Sequence, residues 1–108
     1  MNYSHKYLKL DNRIYTTIRR YRKPYQKIGC IEDECYNGCI LHQAKIIGIQ
    51  KARLSQIPVA FLILDCKFEN SEINHRRDCY DLIQSFYNKE IKFSEEKFFI
   101  FLMERGES

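Results

Sequence analysis

Two periodicities divide this sequence. Before residue 50, β-favouring residues fall in short runs whose side chains alternate between two faces, and between Asn74 and Asn88 apolar residues recur at three- and four-residue intervals. Tyr7 to Leu10 alternates and is followed by the turn dipeptide Asp11-Asn12, which predicts a short first strand. Ile14 to Ile18 predicts a second, with Ile14, Thr16 and Ile18 on one face and Tyr15, Thr17 and Arg19 on the other. Pro24 forbids a continuing central strand and Gly29 marks a turn, so Arg20 to Ile28 is expected as an exposed loop. Cys30 to Tyr36 and Cys39 to about Gln50 then flank Asn37-Gly38, a pair that tolerates the positive φ angles of a type I′ hairpin.

Within the long strand the apolar set changes face near Ile46-Ile47, beside Gly48, which predicts a bulge that bends the sheet. A short helix is expected near 55–62, with Ser55 as cap and Pro58 near its start, although VAFLIL has the composition of a buried strand as well. The main helix is expected near 74–88, with Cys79, Leu82, Ile83, Phe86 and Tyr87 on its apolar face, Asn74 as cap and Asp78 in its first turns. The nearly continuous apolar run from Lys97 to Glu104 predicts a central strand covered on both sides. These elements make an α+β domain spanning 1–108, built on a small mixed β-barrel.

Composition supports one packed domain. The 108 residues include fifteen aromatics and only six Gly plus Pro, enough apolar area to offset chain entropy in one core but not in two. No apolar stretch has the length of a signal peptide or a membrane span, so a soluble, cytoplasmic protein without membrane contact is expected. The cysteines number five, an odd set without C-x-x-C spacing, which argues for reduced thiols. Cys30, Cys35, Cys39 and His42 raise a zinc site, but C-x4-C-x3-C-x2-H matches no common structural zinc spacing and most of it falls in predicted strands. No metal or cofactor is assigned.

Charge changes the picture more. Residues 1–27 carry eight Lys or Arg against one Asp, a formal +7, and residues 28–108 carry ten against thirteen, or −3. Ile14 to Lys27, IYTTIRRYRKPYQK, contains five basic residues, three tyrosines and two adjacent threonines, with no acid. Such a stretch attracts phosphate, and Tyr15, Tyr21 and Tyr25 supply faces for unpaired bases, a combination suited to single-stranded or looped RNA. It is also what a solvated surface with packed tyrosines looks like. Arg19, on the strand face directed inward, is either a fork for phosphate or a base edge, or one half of an ion pair with Glu72 or Asp65. Thr17 shares that face. His42 and His75 carry no assigned role, and Phe98, Phe99, Phe101 and Cys79 are expected in the core.

Residues 13–105 resemble the ASCH domain of the PUA-like barrel superfamily, whose members associate with RNA. The resemblance lies in TTIRR at Thr16 to Arg20, the Gly29 turn, RLSQIPVAFLILD ending at Asp65, SFY at Ser85 to Tyr87, and the last strand ending in Glu104-Arg105. It implies a barrel with a cleft, in which Thr17 and Arg19 hold the motif positions facing a nucleotide or nucleic-acid strand. Some members resembling this chain are amidohydrolases of 4-acetylcytidine that use a lysine three residues before the motif threonine, the threonine and a downstream glutamate. Here Ile14 stands in the lysine's position and Glu72 near the glutamate's, so the group that would activate the threonine is missing unless Lys9, Lys23 or Lys27 reaches back.

The expected function is therefore binding of RNA or a modified nucleotide through Thr17, Arg19, Arg20, Tyr21, Arg22, Lys23, Tyr25, Lys27 and Glu72, with no catalytic residue assigned. A small nucleoside- or RNA-processing enzyme, including a ribonuclease, ranks second. An adaptor for an acidic protein partner is third.

Overall fold

Seven regular elements form in the computed structural model, which describes residues 1–106. They are β1 (Asn2–Tyr3), β2 (Ile14–Arg19), β3 (Ile31–Tyr36), β4 (Cys39–Arg53), α1 (Val59–Cys66), α2 (Arg76–Gln84) and β5 (Lys97–Arg105). The strands make one mixed sheet in the order β1-β3-β4-β5-β2, antiparallel except for the parallel β1–β3 pair, and the sheet curls into a half-barrel.

Three local devices in the sequence produce that curl. Asn37 and Gly38 take φ of 53° and 78°, giving the tight β3–β4 turn. Ile46 pairs with Met103 but Gly48 pairs with Leu102, so Ile47 is an extra residue that bends β4. Gly48 is needed there because a Cβ would stand 3.3 Å from the Cβ of Leu102, tighter than most packed contacts. The final apolar run becomes β5, placed between β4 and β2, and both of its faces are covered along part of its length.

Inside the curl lie Tyr3, Tyr15, Ala44, Ile46, Phe101 and Met103, with Tyr7 and Leu10 packed at its mouth. Across the sheet, Phe98 joins Leu54, Leu62, Cys66, Ile73, Cys79, Ile83 and Ile91 in a second core beneath the helices. The two edge strands are not paired through their backbones. Side chains join them instead, Tyr3 Oη to Thr17 Oγ1 at 2.9 Å and Arg19 Nη2 to the carbonyl of Asn2 at 3.0 Å.

Several expectations need correction. Tyr7–Leu10 is not a strand: Leu8–Asp11 is a 3-10 turn, and the first strand is Asn2–Tyr3. Burial explains this, because Tyr7, Lys9 and Leu10 are all buried while Leu8 is exposed, an arrangement that strand alternation does not allow. The short helix starts later than 55–62. Leu54–Gln56 is a separate 3-10 turn, and Pro58, rather than Ser55, precedes α1, its carbonyl accepting from Phe61 and Leu62 N–H. The main helix is shorter than 74–88, beginning after His75, where Asp78 Oδ2 accepts the N–H groups of both Asn74 and His75. It stops at Gln84, whose side chain turns to serve Lys89 O and Ile91 N–H, so Phe86 and Tyr87 follow the helix.

Candidate nucleic-acid interface

The joint between the two sheet edges leaves a cavity of about 50 Å³ lined by Tyr3, Lys9, Thr17, Arg19, Asp65 and Tyr87, among others. That is room for a small polar group, well short of the roughly 300–1,000 Å³ that engulfs a whole small-molecule ligand. Thr17 is buried here because strand alternation turns it inward, and its hydroxyl is engaged by Tyr3. Arg19 is half-buried, lies 4.9 Å from the Tyr3 ring centroid and donates to the Asn2 carbonyl. Its partner is therefore neither Glu72 nor Asp65.

Asp65 pairs with Lys9 instead. Lys9 Nζ reaches Asp65 Oδ1 at 2.7 Å, with the two residues only 5% and 6% exposed. Thr16 Oγ1 donates to the same oxygen at 3.0 Å, and the Lys9 ammonium lies 5.7 and 5.3 Å from the ring centroids of Tyr3 and Tyr7. An ion pair this buried is sustained by such added donors and ring faces. Of Lys9, Lys23 and Lys27, only Lys9 lines the cavity with Thr17; it comes from the 3-10 turn and bonds to Asp65 rather than to either threonine. The sequence did carry a signal for Asp65, a lone acid closing the apolar run VAFLILD.

Deeper in the half-barrel, Glu34 is 0% exposed and its two carboxylate oxygens have no hydrogen-bond partner. Burial raises its pKa, partly offset by the charges of the N-terminal ammonium and Arg19. Burial likewise raises Tyr3 and Tyr15, with the nearby Glu34 charge acting in the same direction. Tyr15 Oη meets His42 Nε2 at 3.0 Å, and burial followed by the Arg105 charge lowers the His42 pKa. Tyr15 is thus an interior residue and offers no face to a base.

The loop that follows β2 displays the remaining candidates, and its Tyr21 meets the cavity-lining Tyr87 edge-on at 6.5 Å. Tyr21 and Tyr25 are 70% and 58% exposed, and Lys23 lies over the Tyr25 ring at 5.8 Å. Arg22 lies over Phe99 at 5.7 Å, and Arg22, Lys23 and Lys27 are exposed with no ion pair among the described residues. Arg20 differs. Its Nε donates to Glu96 Oε1 at 2.8 Å, a bond that raises its pKa, and its guanidinium packs against Tyr87 and Tyr21. Glu72 is exposed in the α1–α2 connection and does not line the cavity, so the nearby carboxylate is Asp65.

Among the described residues no group of three or more Cys, His, Asp or Glu is placed to hold a metal ion. Likewise no helix among them is long and apolar enough to cross a membrane. No family model matches the chain, and no solved structure does. An uncharacterized protein of Methanocaldococcus jannaschii, MJ0364, is 34% identical over 113 aligned residues, covering 94% of this chain and 92% of the archaeal one.

Proposed function

We propose a function from the premise that this chain belongs to one family with the archaeal protein MJ0364: it is an ASCH-type, PUA-like domain that binds single-stranded RNA or a modified nucleotide. The observation that carries this reading is the loop after β2, where exposed Tyr21 and Tyr25 alternate with Arg22, Lys23 and Lys27, none of them held by a carboxylate. Aromatic faces interleaved with free cations hold unpaired bases and phosphates together. The cavity at Thr17 and Arg19 is sized for one small substituent of such a ligand, whose ring lies outside against the tyrosines. Arg20 positions Tyr21 and Tyr87 through its ion pair with Glu96 and is not a phosphate contact.

Fluorescence anisotropy with a labelled mixed-sequence single-stranded RNA tests the loop. Tyr21→Ala/Tyr25→Ala is expected to weaken binding by about 10-fold or more, since one base–aromatic stack is worth about 1–3 kcal/mol. Unchanged affinity in that variant sinks the reading.

A second reading, a small hydrolase of a modified nucleoside or RNA, is favoured by the buried Lys9, an amine lining the same cavity as Thr17 although Ile14 is exposed where the resembling amidohydrolases carry lysine. It predicts that 4-acetylcytidine is cleaved to cytidine and acetate and that Thr17→Ala stops cleavage. No product from the wild-type protein rules that substrate out.

A further inference from the structure

Tyr15, Met103 and Ile46 stand side by side on β2, β5 and β4 and point into the half-barrel. Alternation therefore turns the adjoining row outward, and that row reads Ile14, Glu104, Lys45, Ile31 across β2, β5, β4 and β3. Towards the other end of the same face, Phe98 is fully buried beneath the helices. Here Ile14 and Ile31 stay 50% and 57% exposed, and Lys45 is exposed as well. Leu102, two residues from Glu104 on the same face, is 37% exposed and leans over Gly48, its Cδ2 3.7 Å from where a Gly48 Cβ would stand. It therefore lies over the boundary between β5 and β4.

The row carries opposite charges at its centre and apolar side chains at both ends. Glu104 and Lys45 are direct cross-strand neighbours, yet the ion pairs among the described residues involve neither. Such an order is self-complementary under one symmetry. A two-fold axis running along the strands between β5 and β4 exchanges the halves of the row, so each Glu104 faces the Lys45 of a second copy and each Ile14 faces the second copy's Ile31. Leu102, lying at that boundary, meets its own counterpart at the axis. An axis across the strands would set Glu104 against Glu104 and Lys45 against Lys45. We propose that this face is the contact of a homodimer with its two-fold axis along the β4–β5 boundary. The carboxylate at its centre disfavours a phosphate backbone there, and the contact does not depend on the loop's binding RNA. It is narrower than the roughly 20–30 residues a side of a standard interface, so the association is weak and reversible.

Sedimentation velocity of the full chain, from about 1 to about 500 μM to cover weak association, tests it. Wild type is expected to shift from monomer to dimer across that range. Lys45→Glu makes the centre of the row wholly acidic and Glu104→Lys makes it wholly basic, so either variant alone should weaken self-association by at least about 10-fold. An equimolar mixture of the two should form a heterodimer, because each copy then meets its opposite. Ile14→Ser/Ile31→Ser removes the apolar ends and should also leave a monomer. All the substituted side chains are on the surface, and circular dichroism checks that each variant keeps the wild-type fold. A wild type that stays monomeric throughout, a dimer that both charge reversals leave intact, or a mixture that stays monomeric would overturn the proposal. So would capture of RNA or of another protein by this face without self-association.

Discussion

Replacing Lys9 with methionine keeps the length and apolar stem of the side chain but strips Asp65 of its ammonium partner. The carboxylate would then sit nine-tenths buried with one neutral donor, Thr16 Oγ1. Removing one member of a buried ion pair costs about 3–5 kcal/mol, because an uncompensated charge stays behind. The lost ring contacts with Tyr3 and Tyr7 each bring about 0.5–1 kcal/mol, but they belong to the same event and do not simply add. Asp65 also lines two cavities, which admits some screening and favours the lower part of the range. The expected loss for Lys9→Met is therefore about 3 kcal/mol, or about 12–24 °C in Tm for a domain near 100 residues. Urea unfolding followed by circular dichroism measures it. Lys9→Met/Asp65→Leu should recover most of the loss, since a buried pair replaced by apolar groups is often neutral. A single-variant loss below about 1 kcal/mol, or a double variant as weak as the single, would refute the claim that this pair is desolvated.

Three further outcomes follow from the same reasoning. Glu34 has its folded pKa raised above the ordinary 4.5, so its contribution to stability is complete below that value and is lost as pH rises through the folded pKa. Glu34→Gln should therefore gain about 1–3 kcal/mol on wild type near neutral pH and little below pH 4.5 in paired urea titrations; a pH-independent difference would count against it. Gly38→Ala forces a side chain onto φ of 78° and should lose about 1–2 kcal/mol by chemical denaturation, with no loss if the turn relaxes freely. Phe101→Ala, which empties a fully buried ring position inside the half-barrel, should lose about 3–5 kcal/mol in the same assay, and a loss under 1 kcal/mol would mean the interior is not packed as described.

Local chemistry was legible wherever one residue type dictates the backbone. Asn37-Gly38 announced its turn and Gly48 its bulge, because positive φ and close approach are properties of single residues, whereas the start of α1 was legible only roughly, since Ser55 offers a cap ahead of Pro58. The inward face of β2 was legible from alternation alone, which put Thr17 and Arg19 on one side. Partnerships were not. Lys9 reads as a surface lysine in YLKL until the 3-10 turn brings it to Asp65, 56 residues away. Arg20 reads like Arg22 until Glu96 takes its Nε. Phe86 and Tyr87 continue the helical period of α2, yet the chain leaves the helix because Gln84 satisfies backbone groups further on. Each of these depends on a contact remote in sequence, and periodicity holds no information about such contacts.

The central claim is that free cations of the basic loop hold the phosphates of single-stranded RNA. The most direct measurement is the salt dependence of RNA binding, with the RNA run on a gel afterwards to detect cleavage. If Arg22, Lys23 and Lys27 each neutralise one phosphate, log K against log salt should fall with a slope of about −2, and Arg22→Ala/Lys23→Ala should flatten it to about −0.7, with the RNA intact. No binding at low salt, or a slope that the double variant leaves unchanged, would contradict the account.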